Sequence, residues 1–235
     1  MSTTIVTAAR SRRDVVMAAT NLSKARMLNC RIKPLLWLIA IALQCLSLPA
    51  LAEAIQLITA EGQKTMLAAP GTEPVGAADA DVTIVEYFDY NCPYCKKMAP
   101  VLEGLLKEDH HVRIVYKDWP ILGDMSVYAA KAVLAAQWQH KYRIAHDALI
   151  NGPRVATTAQ VDAALSRVGV NLDTLSKERI KRSTEIDALI ERNDEEAHAL
   201  NLRGTPGIVV GRQLLPGIVD LGGLKRLVAD ARSTK

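Results

Sequence analysis

The sequence predicts an α/β fold in which one sheet is built from two parts of the chain, separated by an inserted block of helices. Three observations predict it. An apolar, β-branched run at Val82–Phe88 is followed by apolar residues at helical spacing and then by a second apolar run at Val112–Lys117. A long stretch of helical pattern occupies about residues 120–202. Two short apolar runs, Ile208–Val210 and Gln213–Leu215, then precede a final helix. Isolated two-stranded units are marginal in water, so neither sheet-forming part stands alone. The order βαβ, helices, ββα therefore reads as one domain, residues 53–235, with a helical insertion.

The elements follow in chain order. Residues 1–52 read as an export leader. Arg31 and Lys33 precede an apolar stretch from Leu35 to Leu48, and Ala50-Leu51-Ala52 follows as a small-x-small cleavage pattern. The stretch is shorter than the roughly 20 apolar residues that a membrane span needs. That makes an uncleaved anchor the weaker alternative, and a lipid on Cys45 is weaker too, because Gln44 stands where a small residue is expected. A self-sufficient signal starts at Met27, so the true start is either Met1 or Met27. Residues 53–80 read as a short amphipathic opening (Ile55, Leu57, Ile58) and a loop with Pro70, Gly71, Pro74 and Gly76.

Val82–Phe88 carries one acid, Glu86, in an otherwise apolar run and reads as a central strand buried on both faces. Met98, Val101, Leu102, Leu105 and Leu106 recur at helical spacing, with Pro100 expected to kink that helix. Strand, helix, strand in this order predicts a right-handed βαβ unit. Ser126–Ile150 lacks Gly and Pro and reads as helical throughout. Thr157 with Gln160 forms a capping-box pattern for a helix to about Val168, and Asn171 caps a long charged helix to about Leu200. Gly211-Arg212 joins the last two strands as a hairpin, and Asp220 caps a final helix through Ala229.

Composition removes one class of function. The formal charge of +4 belongs to the leader: seven of the 29 basic residues and one of the 25 acidic residues lie in residues 1–52, leaving 22 against 24. That balance gives no electrostatic argument for nucleic acid. Removing the leader also removes Cys30 and Cys45, so that Cys92 and Cys95 remain. Two cysteines this close cannot staple distant segments, and a domain of this size has a core large enough to do without a bridge. Their value is chemical.

Cys92-Pro93-Tyr94-Cys95 stands at the mouth of the predicted helix. Unpaired amides and the positive dipole end stabilise a thiolate there, and Pro93 suits the first turn, where its missing N–H is no loss. Lys96 and Lys97 add positive charge in the next turn. A lowered thiol pKa supplies thiolate, improves the leaving group and makes the disulfide more oxidising. Cys92 is therefore expected to be exposed and acidic, and Cys95 to be the shielded partner.

The segment Phe88-Asp89-Tyr90-Asn91-Cys92-Pro93-Tyr94-Cys95-Lys96 after its strand, then Lys117-Asp118-Trp119-Pro120-Ile121-Leu122-Gly123, then Gly204-Thr205-Pro206-Gly207, resembles the DsbA family of exported thiol:disulfide oxidoreductases. The resemblance covers about residues 65–230. It implies a thioredoxin-like fold with a helical insertion, Thr205-Pro206 opposite the cysteines with Pro206 in cis, and the Thr205 backbone turned to Cys92 to pair a client peptide. It implies a buried proton-transferring acid at Glu86, with Lys117 the basic residue beside it. Reduced client proteins of the cell envelope and a quinone-linked membrane reoxidant of the DsbB type are the implied partners, with no metal or organic cofactor. The family often has His between its cysteines. Tyr94 supplies no imidazolium, so Cys92 should be less acidic than in the strongest oxidants.

Two rival readings remain. The same scaffold serves isomerases and reductases, and a cysteine pair can hold half of a zinc site in a non-enzymatic envelope protein. None of His110, His111, His140, His146 and His198 stands at a zinc spacing from the pair, and all five read as surface or packing residues.

Overall fold

A computed structural model describes residues 56–68 and 73–234. Residues 1–52, expected from the sequence to be an export leader, lie outside the described residues, with Cys30, Cys45 and both candidate starts.

The described residues form a six-stranded mixed sheet in the order β1-β6-β5-β3-β4-β2. Its strands are β1 (Gln56–Leu57), β2 (Val75–Gly76), β3 (Val82–Phe88), β4 (Val112–Asp118), β5 (Gly207–Val210) and β6 (Gln213–Pro216). β3 and β4 run parallel, joined by α2 (Pro93–Glu108), and every other pairing is antiparallel. The fold is thioredoxin-like. β3 is flanked on both sides and six of its seven residues are buried, which is why its sequence is apolar almost without interruption.

Side chains alternate across the sheet and divide the core in two. One face carries Ile84, Phe88, Tyr116, Ile208 and Val210 against Met98, Leu102 and Leu105 of α2. The other carries Val85, Tyr87, Val209 and Leu214 against Ile58, Met66 and Ala197. Each fully buried side chain of α2 contributes roughly 1.5–3 kcal/mol, enough to fix the helix whose first residue follows Cys92. Pro100 sits inside this helix without ending it.

Five helices separate β4 from β5: α3 (Asp124–Ala135), α4 (Tyr142–Ile150), α5 (Thr158–Arg167), α6 (Leu172–Lys181) and α7 (Ser183–Ala199). α3 is buried along most of its length, its alanines allowing the surrounding helices to approach closely. The Thr157–Gln160 capping box is complete, and Asn171 and Asp220 cap their helices through Thr174 N and Gly223 N.

Several elements differ from the sequence expectation. The stretch 126–150 is not one helix: a 3-10 turn at Ala136–Gln139 ends at His140, whose backbone is left-handed (φ 55°). Breaks of this kind usually show as Gly or Asn, and here neither is present. The long charged helix is two, parted at Arg182, whose guanidinium lies 5.1 Å from the Trp138 ring centroid. The break lets α6 pack within the insertion through Leu175 while α7 returns to the sheet, where Asn193 Nδ2 donates to Asp118 O at 3.0 Å. Residues 56–76 hold the helix α1 (Ala60–Ala68) and both two-residue edge strands, too short to leave a period in the sequence. The final helix, α8 (Leu221–Ser233), runs past Ala229.

Candidate active site

The turn between β3 and α2 is built on Asp89. Its Oδ1 accepts the Asn91 amide at 2.7 Å and the Ser126 hydroxyl at 2.7 Å, and its Oδ2 accepts the Leu122 amide at 2.9 Å. This Asx-type closure turns the chain sharply off the end of the strand. It brings Cys92 to the N-cap position with extended backbone and Pro93 at the first helical position. Asn91 is bonded in both directions to Val155 of the insertion, its Nδ2 donating to Val155 O at 3.0 Å and its Oδ1 accepting Val155 N at 2.9 Å.

Cys92 and Cys95 are free thiols in very different settings. The Cys92 thiol is pulled down to about 5, chiefly by the hydrogen bond it receives from Cys95, aided by the Thr205 side chain and the amides of Cys95 and Tyr94, with burial opposing. Cys95 has no exposed surface, and burial first, then its bond to Cys92 and the charge of Glu86, pushes its thiol far up. One sulfur is a thiolate at neutral pH and the other is a thiol. The expected exposure of Cys92 is corrected: it is only 4% exposed, because Thr205 covers it, with the Thr205 carbonyl 3.2 Å from its Sγ.

Thr205-Pro206 is cis, as the resemblance implies, and lies against the cysteines. Tyr94 is 54% exposed, with the Lys97 ammonium 5.4 Å from its ring centroid. Glu86 is fully buried on the face of the sheet that packs on α2. Burial, reinforced by the Cys92 charge, raises its carboxyl to about 8. Its Oε1 is buried without a hydrogen-bond partner. The alternative that would place it on a solvent-facing edge strand is excluded.

Lys117 requires a correction. It is buried, but it does not stand beside Glu86. Register pairs Glu86 with Tyr116 and Tyr87 with Lys117, so the lysine projects from the opposite face. There its ammonium meets Glu196 of α7 at 2.9 Å, and Tyr87 donates its hydroxyl to the same carboxylate at 2.9 Å.

Other polar groups close to the turn were not singled out by the sequence. Tyr90, Tyr142, His146 and Asp118 form a buried cluster: the Tyr90 hydroxyl lies 3.1 Å from His146 Nδ1, and Tyr142 donates to Asp118 at 3.3 Å. Burial lifts the Asp118 carboxyl to about 8 and lowers His146 to about 3, so both are neutral at pH 7. The only hint in the sequence is an acid at the end of an apolar strand, one position after Lys117. Among the described residues, no helix is long and apolar enough to cross a membrane. Nor is any group of three or more His, Cys, Asp and Glu side chains arranged to hold a metal ion.

A thioredoxin-like fold with an acidic cysteine at a helix N-terminus, a shielded second cysteine and a cis-proline opposite them defines a dithiol protein of the thioredoxin class. Within that class, the DSBA-like thioredoxin domain matches residues 83–229, more than half of the chain. The chain belongs to this DsbA-like family of thiol:disulfide oxidoreductases. It is similar to the crystal structure of a thioredoxin-like oxidoreductase from Silicibacter pomeroyi, with 36% identity and a TM-score of 0.69, over 75% of this chain and 99% of that one. It is also similar to a periplasmic thioredoxin-like protein from Salmonella enterica serovar Typhimurium, with 26% identity and a TM-score of 0.65, over 76% of this chain and 99% of the other. A probable disulfide bond formation protein D of Bacillus anthracis is 25% identical over 69% of this chain and 79% of its own length. Two further curated relatives, both Na(+)/H(+) antiporters, are much longer. The match to Na(+)/H(+) antiporter NhaA 1 of Salinispora arenicola is 28% identical over 66% of this chain and spans about a quarter (24%) of that protein.

Proposed function

We propose that this chain introduces disulfide bonds into exported proteins in the periplasm. The observation that carries this reading is the asymmetry of the pair, with Cys92 acidic at the helix N-cap and Cys95 shielded behind it. A client thiolate attacks Cys92 Sγ of the oxidised protein, forming the client–Cys92 bond and breaking Cys92–Cys95, so that the electron pair leaves on Cys95. Glu86, protonated at neutral pH, returns a proton to Cys95. The client's second thiolate then attacks the client sulfur, and Cys92 departs as a stable thiolate. Pro93 and Tyr94 shape the first turn, and Thr205 and Pro206 receive the client backbone. Lys117 is assigned to the scaffold.

The reading takes residues 1–52 as the export leader, reduced envelope proteins as clients and a quinone-linked membrane protein of the DsbB type as reoxidant. Family membership supports it, as does the likeness to a structure described as periplasmic. Cys92→Ser should abolish oxidation of a reduced client, and Cys95→Ser should accumulate the client–Cys92 mixed disulfide. Full activity in Cys92→Ser overturns the reading. A reduction potential near thioredoxin's roughly −270 mV would favour a reductase instead, and rapid unscrambling of a misbridged client an isomerase.

A further inference from the structure

An open groove of about 510 Å3 lies beside the nucleophile, lined by Asn91, the residue before Cys92, and by Leu122, Asp124, Met125, Arg154 and Val155. The last five belong to the helical insertion. Leu122 comes from the β4–α3 loop, Asp124 and Met125 from the first turn of α3, and Arg154 and Val155 from the α4–α5 loop. Its size is that of pockets which hold small ligands, so one large side chain fits. Both walls are tied to the turn that carries the sulfur. Asp89 accepts the Leu122 amide at 2.9 Å and the Ser126 hydroxyl of α3 at 2.7 Å, and Asn91 is bonded both ways to Val155. The groove is therefore fixed in place relative to Cys92 and needs no ordering when it is filled.

Its chemistry is apolar, with balanced charge at the rim. Leu122 is exposed although aliphatic, Met125 is half-buried and Val155 is buried. Asn91 turns its side-chain amide to Val155 and so adds no unmet polarity. Arg154 and Asp124 are exposed, and among the described residues neither side chain has an ion-pair or hydrogen-bond partner. One free charge of each sign gives a charged ligand a repelling neighbour as well as an attracting one, so the groove selects by apolar fit.

The geometry of exchange decides which part of a client reaches it. The Thr205 carbonyl lies 3.2 Å from Cys92 Sγ, and a client paired to this segment as an added strand has alternate side chains on one side. The residues two positions from its cysteine then point the same way as the reacting sulfur, roughly 7 Å along the chain. Asn91 is one residue from Cys92, about 3.8 Å between Cα atoms, which places the edge of the groove within that reach.

We propose that this groove is a client subsite which takes an aliphatic side chain two residues from the client's reacting cysteine, with Leu122 and Met125 as its specificity-determining residues. The inference rests on the reading of this chain as a dithiol–disulfide exchanger and names the clients it favours, those with Leu, Ile or Met at that distance from a cysteine. An aliphatic side chain there removes its own surface and that of Leu122 from water, and a polar one does not. The insertion thereby supplies what the cis-proline segment lacks, because pairing to the Thr205 backbone is blind to side chains.

The test compares alanine-based peptides with a single cysteine, reacting with the oxidised protein. Those with Leu two residues before and after the cysteine should attack Cys92 about tenfold faster than those with Asn at the same positions. Leu122→Asn and Met125→Asn should each bring that ratio below about threefold. Each ratio is taken within one protein, so a general change in Cys92 reactivity cancels. Leu122 is exposed and joins the turn through its amide, so its variant keeps the test readable if Met125→Asn does not fold. A ratio near one in the wild-type protein overturns the proposal, as does an undiminished ratio in Leu122→Asn. Glutathione has one residue on either side of its cysteine and none at the tested distance. Exchange with glutathione but no preference between peptides overturns this inference alone. No exchange with glutathione or with either peptide overturns the functional reading, and this inference with it.

Discussion

Glu86 and Lys117 stand on adjacent strands one residue out of register, and so face opposite sides of the sheet. The acid faces the cysteine helix, and the lysine faces α7 and Glu196. They cannot form a pair, and the two substitutions should separate cleanly. Lys117→Met leaves Glu196 partly buried with its cation gone, which costs roughly 3 kcal/mol. Urea denaturation should report that loss, while the pH at which Cys92 becomes alkylatable stays where it was.

Glu86 should make the oxidised protein less stable as pH rises. Burial, the larger cause of its raised carboxyl, persists when Cys92 is oxidised and uncharged, so the folded carboxyl holds its proton above the 4.5 at which the unfolded one releases it. Between those limits the folded state binds more protons, so stability falls with increasing pH. Glu86→Gln should flatten that slope and be the more stable protein at neutral pH, yet exchange disulfides more slowly. Urea melts of the disulfide form across pH test this without interference from Cys92, which does not titrate when oxidised.

In the dithiol form Cys92 acts in the opposite sense. Its thiol falls from 9.0 to about 5 on folding, so it contributes stability that is present above pH 9 and lost as pH drops through 5. Alkylation should follow a single ionisation near pH 5, with Cys95 untouched. The Cys95 thiol is the largest cause of the lowering, so Cys95→Ala should move the Cys92 midpoint up by a unit or more.

His146 should govern part of the acid limit. It is held neutral, down to about 3, mainly by burial, while the unfolded chain protonates it near 6.5. Stability is lost as pH falls between those values. His146→Gln should remove that portion of the acid loss, at a cost of about 1 kcal/mol at neutral pH from weakening the bond to Tyr90.

The central features were legible because they are local. Apolar runs mark β3 and β4, and an N-cap with Pro behind it marks the start of α2. The Thr157–Gln160 box and the Asn171 and Asp220 caps each bond within three residues. What was hidden depends on distance. His140 adopts a left-handed backbone without being Gly or Asn, and Arg182 ends a helix that its own sequence would continue. Lys117 was placed beside the wrong acid because the partner that holds it, Glu196, comes from a helix 79 residues later in the chain. The edge strands β1 and β2, two residues each, exist through pairing with β6 and β4. Cys92 was expected in the open although the resemblance turned the Thr205 backbone towards it, because no local pattern shows how closely the two meet.

The reciprocal bonds between Asn91 and Val155 join residues 64 positions apart as tightly as neighbours in a ladder. Chimaeras that exchange the helical block among relatives therefore have to transplant a matching residue at position 91 as well. Otherwise an amide side chain next to the nucleophile faces a backbone with the wrong pattern of donors and acceptors. Redesign of the block and redesign of the thiol motif are a single engineering problem.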